Sequence, residues 1–498
     1  PTMSMLYEGL TEGRDDYIRK YDSGVQYYRK VMKEFLEDTG DKGRIYGAYK
    51  RLSREASKIK LLSGDTIYVT KAQAMSLYEL NKRKQAWDHI YKGGLRFTEQ
   101  EKASTEKKGE KYRVTAENYY VTPEDVYNIT NILTPKEKAL ADRLTRFFGE
   151  TAKWGNAVSL KLYGYEKFRE RNYFPIEVNK NVLYSDPTQS GEALTKNMGA
   201  AKSTVDKANN AINLRNIFDV YADTVNNMAN YGSMVLPIED IRRVWNYKNK
   251  DRNGEVKTNL ENKFGTSVLS YFDDFIRDIG RGITTPRGDG LANLLLSKAK
   301  GAAVGLNISV AVQQPLSIIR ASTVINPKYL MRGALMKGDY ELIKKYAPIA
   351  IWKQYGFFDV DTKPYAAMDI FNDRTTLSDI EGFMSQAGDE AAWKAMWNAA
   401  VLETAAKNKS MVEKGKVKPE FQEKFYNIVG KRFTQIIDET QVVDTVFNRT
   451  GLMRSKSFGA KTATAFMSEP AKEYNVFAGK LMDFAQADNK KAARTALA

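Results

Sequence analysis

The chain has no cysteine and one histidine, His89. Disulfides, thiolate nucleophiles, cysteine-held zinc and iron–sulfur clusters are therefore excluded. A lone histidine also removes His-rich metal sites and almost every Ser-His or Cys-His catalytic pair. Phosphate-binding signatures are missing too. In "SFGAKTAT" an alanine separates Gly459 from Lys461, so no Walker loop forms there. Neither G-x-S-x-G nor H-E-x-x-H occurs, and no G-x-G-x-x-G follows a strand. Only one uncharged apolar run, Gly301 to Ile319, is about long enough to span a bilayer. It contains Gln313-Gln314-Pro315 and several glycines, which favours a buried helical hairpin with small residues at its contacts. Such a proline frees backbone groups that the two amides would satisfy, with Arg320 at the polar end.

What is present is enough to fold. Hydrophobic residues make up 42% and aromatics 11% of the chain, which rules out wholesale disorder. At 498 residues the length suggests two to four domains. Lys and Arg number 77 against 61 Asp and Glu, a net charge of +16 that points to a polyanionic partner. The plainer reading is a solvated basic surface. The charge looks dispersed, with no dense Lys/Arg block. The chain begins at Pro1 and ends in "NKKAARTALA" without a helix stop, so a fragment of a longer polypeptide is expected.

Periodicity predicts a mainly α, multi-helix protein with two or three helical subdomains and one small β-hairpin near 65–115. Residues 1–63 read as an N-terminal segment of two helices broken at "DTGDKG", with Tyr17, Tyr21, Tyr27 and Tyr28 packing while their hydroxyls stay wet. Residues 64–178 read as a helical domain. Thr70 and Gln73 have capping-box spacing, which starts a helix at Lys71 running to about Tyr91. "LRF" beyond Gly93-Gly94 is expected to pair with "KYRVT" at 111–115. "TPED" and "TPKE" make Thr122 and Thr134 N-caps. From the second, Leu140 to Leu162 repeats as one long amphipathic helix. Trp154, Tyr163, Tyr173 and Phe174, with Pro175 stopping the helix, form an aromatic corner. Residues 179–205 read as a linker. Residues 206–448 read as a central helical domain with apolar core helices at 290–325, and 449–498 as a basic C-terminal segment with nine basic and four acidic residues.

Catalytic candidates are few. Asp273, Asp274 and Asp278 would put acids on one helix face, and Asp359 and Asp361 lie in "FFDVDTKP". Pairs of this kind can hold Mg²⁺ or divide acid and base roles, but they also arise on any solvated face. "YELIKKYAPIAIWKQYGFF" offers Lys344, Lys345, Tyr355 and Gly356 to a polymerase reading, but its apolar interior suits a packed helix pair. His89 reads as structural or as a helix-end cation. Arg449, Arg454, Lys456 and Lys461, before the apolar "ATAFM", form a cluster suited to phosphate.

Four phrases stand together: "SLYELNKRKQAWDHIYKGGLRF", "WGNAVSLKLYGYEKFRERNYFPIE", "AVGLNISVAVQQPLSIIRASTVINPKYLM" and "GLMRSKSFGAKTATAFMSEPAKEYNVFAGKLM". As a set, spanning roughly 65–490, this resembles a module of the large polyvalent proteins of tailed phages and related mobile elements, and of phage internal virion proteins. The resemblance implies a chain packaged in the particle, within capsid or tail, and delivered to the host with the genome. It implies no catalytic residue and no cofactor. The expected function is a non-enzymatic structural and delivery module. Its expected partners are phage DNA, bound nonspecifically, and other virion proteins (portal, capsid or tail). An Asp/Glu-dependent enzyme acting on nucleic acid or cell wall, a membrane-conduit role for 290–325, and a homo-oligomer stay open.

Overall fold

The structure is a computed structural model that describes residues 2–96, 118–170, 173–176, 211–250, 254–281, 320–355, 365–373 and 383–440. It is mainly α, as the periodicity predicts. The helices, in chain order, are α1 (Thr2–Thr39), α2 (Ile45–Arg54), α3 (Lys71–Asn81), α4 (Lys84–Asp88), α5 (Pro123–Thr130), α6 (Pro135–Arg146), α7 (Phe148–Tyr163), α8 (Ile217–Trp245), α9 (Val256–Phe264), α10 (Ser267–Arg281), α11 (Pro327–Ala334), α12 (Tyr340–Tyr346), α13 (Ile349–Gln354), α14 (Tyr365–Phe371), α15 (Phe383–Lys407) and α16 (Gln422–Thr440). Two compact units emerge. One comprises Pro1–Asn259 with Pro364–Arg374, the other Leu260–Lys363 with Thr375–Ala498.

In the first unit α1 packs along α8, α8 against α7, and the short α14 returns onto α1 and α8. Aromatic rings fill the core: Tyr21, Tyr28, Phe148, Phe218, Tyr221 and Phe371 are fully buried. The hydroxyls of Tyr17, Tyr27 and Tyr28 on α1 are satisfied inside the protein rather than left to solvent. Tyr28 donates to Asn372 Oδ1 at 2.8 Å, Tyr17 to Asn226 Oδ1 at 2.7 Å and Tyr27 to the Arg143 carbonyl at 2.8 Å. A buried hydroxyl without a partner is costly, so these bonds fix the helices' register.

The helix crossings depend on glycine. A Cβ on Gly24 of α1 would lie 2.3 Å from Val225 Cγ1 of α8, whereas one on Gly9 of the same helix would meet nothing within 4 Å. Gly24→Ala should therefore destabilise the protein by about 1–3 kcal/mol through overpacking. Gly9→Ala should stabilise it by about 0.5–1 kcal/mol through helix propensity. Urea unfolding of the two variants gives the comparison, and equal effects would refute the close-approach argument.

Local signals read from sequence are present in the first unit. Thr70, Thr122 and Thr134 each cap a helix, and their backbone N–H groups donate the reciprocal bond to the side chains of Gln73, Asp125 and Glu137. Several boundaries differ. The helix begun at Lys71 stops at Asn81, because Arg83 is extended and its guanidinium is buried on Glu170 and the Phe174 carbonyl. His89 starts a π-helical turn to Gly93 and is buried. The Leu140–Leu162 helix breaks at Phe147, whose ring stacks on Tyr27 at 4.7 Å, and it ends at Gly164 (φ +76°), well before Pro175. Phe174 is buried on Phe148, while Tyr163 faces solvent.

Leu95–Arg96 of the expected hairpin is a strand, and further β pairs occur besides it. The longest pairing is an antiparallel hairpin of β1 (Ala56–Lys60) and β2 (Thr66–Thr70). Leu95–Arg96 (β3) pairs antiparallel with Asn118–Tyr119 (β4) and parallel with Ile212–Asn213 (β5). Residues 111–115 lie outside the described ones. Within the segment 206–448 the first described helix begins at Ile217, capped by Asn216, and continues through Pro237 to Trp245. The linker at 179–205 and most of 290–325 also lie outside the described residues. No described helix is long and apolar enough to cross a membrane.

In the second unit α11 and α16 pack on α15 around Trp393, Trp397, Phe425 and Phe433. Trp397 stacks on Tyr426 with the rings 5° apart. Arg432 joins α16 to Glu403 of α15 at 2.7 Å and to the Val324 carbonyl at 2.8 Å. The "YELIKKYAPIAIWKQYG" segment is two helices, α12 and α13, broken at Ala347-Pro348 because a residue before proline avoids helical geometry. A short hairpin, β6 (Val412–Glu413) with β7 (Lys416–Val417), precedes α16.

Candidate nucleic-acid interface

The phosphate cluster expected from sequence, Arg449, Arg454, Lys456 and Lys461, lies outside the described residues. Within them, a basic strip begins where α1 ends. Gly40 (φ +70°) closes α1 with a Schellman pair of bonds, Gly40 N–H to the Glu37 carbonyl (3.0 Å) and Asp41 N–H to the Leu36 carbonyl (2.9 Å). Asp41 then accepts the Gly43 N–H at 2.8 Å and binds Arg51. That turn sets the start of α2.

Helix α2 is amphipathic. Ile45, Ala48 and Leu52 are buried, and Lys50, Arg51 and Arg54 are exposed. Lys50 and Arg54 are one turn apart, about 6 Å along the axis. Strand β1 continues the pattern with a period of two. Lys58 and Lys60 are exposed on the face that pairs with Tyr68 and Thr66, while Ile67 and Val69 of β2 are buried on the other face. The hairpin is tied down at its turn, where the Leu62 N–H donates to Asp125 Oδ1 at 2.8 Å. Asp125 also serves the Thr122 cap, and the hydrogen bonds it accepts hold its carboxyl below the ordinary range despite burial, which pushes the other way. It stays ionised as a fixed staple for the loop.

Residues 42–60 carry seven Lys/Arg and one acid, Glu55. The excess is +6 in nineteen residues, against nine minus four, or +5, in the fifty residues from Arg449. The apparent lack of a dense basic block is thus corrected. These cations are divided between a helix and a strand, so no single run reveals them, although a charge sum over a short window would. Arg51 is neutralised by Asp41. Lys42, Arg44, Lys50, Arg54, Lys58 and Lys60 are exposed and make no ion pair among the described residues. Several other cations of this unit are matched by carboxylates: Arg143 meets Glu34 and Asp38, Lys82 meets Glu79 and Asp142, and Lys71 meets Glu137; Arg19, Lys33 and Lys84 are exposed singly without an ion pair among the described residues. An unmatched set of six is what a polyanion site needs. Helix-end complementation of the α2 dipole accounts for Arg51 and Arg54 but not for the two strand lysines.

Of the acids considered for catalysis, only the Asp273 and Asp274 side chains are among the described residues. Asp273 and Asp274 are exposed on α10, and the Asp278 side chain, Asp359 and Asp361 lie outside the described residues. Among the described residues no group of three or more His, Asp or Glu could hold a metal ion. Lys344 pairs with Glu341 of its own helix, and Lys345 lies 3.9 Å from Glu423. Comparison of the chain with protein-family models, with curated proteins and with solved structures finds no match.

Proposed function

We propose that this chain is a non-enzymatic structural module that contacts nucleic acid nonspecifically through phosphate, using the strip Lys42, Arg44, Lys50, Arg54, Lys58 and Lys60. The observation that supports it is the local charge: residues 42–60 hold seven Lys/Arg against one acid, and six of those cations are exposed with no carboxylate partner among the described residues. Backbone phosphate recognition needs nothing more: cations release condensed counterions and read no base. The family resemblance of the four sequence phrases supplies the setting: a phage internal virion protein, held in the capsid or tail lumen beside DNA and other virion proteins, then delivered to the host. A chain at +16 tolerates concentrated DNA where an acidic one would be repelled.

The test is the salt dependence of binding to a nonspecific duplex, read by fluorescence anisotropy between about 50 and 200 mM salt. The wild-type chain should show a steep log–log slope. Changing all six strip residues to Gln should flatten it by about 5, because each phosphate neutralised adds ~0.9 to the slope. A parallel variant of Arg449, Arg454, Lys456 and Lys461 measures the share of the C-terminal cluster. Salt-insensitive binding, or an unchanged slope in the six-residue variant, refutes the proposal.

A further inference from the structure

A second exposed surface, in the other unit, has different chemistry. Helix α11 opens with Asn326 as cap, its Oδ1 accepting the Lys328 N–H at 2.9 Å, and with Pro327 in the first turn. Its inner face is set tightly on α15. Leu330 is buried, and a Cβ on Gly333 would lie 2.6 Å from the Ala395 carbonyl oxygen and 2.7 Å from the Ala399 nitrogen. Asn398 Nδ2 donates to the carbonyls of Gly333 and Met336, both at 3.1 Å, which closes the helix's free C-terminal end. The helix is therefore fixed in place, and so is whatever its outer face presents.

That face carries Lys328, Met331, Arg332 and Leu335, spaced i, i+3, i+4, i+7. Leu335 is 89% exposed and Met331 73%, the two most exposed large apolar side chains among the described residues. They sit one turn apart. Met336 is exposed beside them, and Lys337 follows. Lys328, Arg332 and Lys337 make no ion pair among the described residues. There is no acid from Ile325 to Gly338. The next one, Asp339, is occupied in capping α12, accepting the N–H groups of Glu341 (3.0 Å) and Leu342 (3.3 Å).

We propose that this face is a peripheral contact for an anionic lipid bilayer. Met331 and Leu335 enter the boundary between headgroups and acyl chains, while Lys328, Arg332 and Lys337 meet lipid phosphates. Three features favour lipid over other polyanions. Two long apolar side chains gain nothing from a phosphate backbone but gain directly from hydrocarbon. The face is a convex helix surface, which a plane of lipid accommodates by parting its headgroups. Cations flank the apolar pair without any interspersed acid, the arrangement that an anionic surface attracts. This contact is separate from the phosphate strip: it lies in another unit and on other residues.

Cosedimentation of the full chain with phosphatidylcholine vesicles, with and without about one third phosphatidylserine, tests it. The chain should partition onto the anionic vesicles and not onto the neutral ones. The double variant Met331→Gln/Leu335→Gln should lose about tenfold in partitioning, and so should Lys328→Gln/Arg332→Gln/Lys337→Gln. The strip variant of residues 42–60 should keep most of it. All substituted side chains are exposed, so melting curves should coincide with wild type. The proposal is overturned by absence of partitioning, by a double variant that binds like wild type while the cation variant does not, or by loss confined to the strip variant. A chain that sizes as a dimer and becomes monomeric on Leu335→Gln would also overturn it, since the face would then belong to a second copy.

Discussion

Arg83→Ala is expected to destabilise the protein by about 2–3 kcal/mol, because it leaves the buried Phe174 carbonyl without its charged donor and removes the fork from the partly exposed Glu170. Arg83 is only 3% exposed. Its Nε donates to Glu170 Oε1 at 3.0 Å and its Nη2 to Oε2 at 2.5 Å, a two-pronged match, while Nη1 donates to the Phe174 carbonyl. The guanidinium also lies 5.4 Å from the centre of the Tyr173 ring. One side chain thus ends α3, turns the chain into α4 and secures the segment that seats Phe174 against Phe148. Arg83→Lys should recover little, because an ammonium cannot reproduce the fork or reach both Glu170 and the carbonyl. Urea unfolding followed by far-UV circular dichroism measures both. A loss below about 1 kcal/mol for the alanine variant would mean that the pair is worth no more than an exposed one.

Arg83 also shows what sequence reasoning can and cannot reach here. The caps at Thr70, Thr122 and Thr134 were legible because each depends on a partner three residues away, and the side chains that complete it are written beside it. The end of α3 was not, because the partner that pulls Arg83 out of helical geometry is Glu170, eighty-seven residues on. The break at Phe147 has the same character, with Tyr27 as the distant partner. The helix pair around Ala347-Pro348 was legible as well, since proline restricts the residue before it.

The β1–β2 hairpin left a fainter trace. Ser57-Lys58-Ile59-Lys60 and Ile67-Tyr68-Val69 alternate around Ser63-Gly64, but each run is short and one is largely polar, so helical periodicity nearby dominated. Missing that hairpin concealed the candidate site. Lys58 and Lys60 join the α2 cations into one unmatched set only once the strand's outer face is known. The charge was countable from the letters, whereas its lack of carboxylate partners required the fold.

Glu79→Gln should stabilise the protein at about pH 8 by about 2–3 kcal/mol and have almost no effect near pH 4. Glu79 is 7% exposed on α3, and burial pushes its carboxyl up to about 7 despite Lys82 Nζ at 2.7 Å. A group that binds its proton more tightly folded than unfolded adds stability fully below its unfolded pKa and loses it as pH rises through the folded value. For Glu79 that window runs from about 4.5 to about 7, so at pH 8 the native protein bears the full cost of a desolvated carboxylate. Glutamine removes this cost and keeps an oxygen for the Thr145 hydroxyl, 3.4 Å away, and Lys82 retains Asp142. Urea midpoints collected from about pH 4 to 8 should therefore diverge progressively between variant and wild type. A constant difference across that range would show that Glu79 is charged throughout, with Lys82 outweighing its burial.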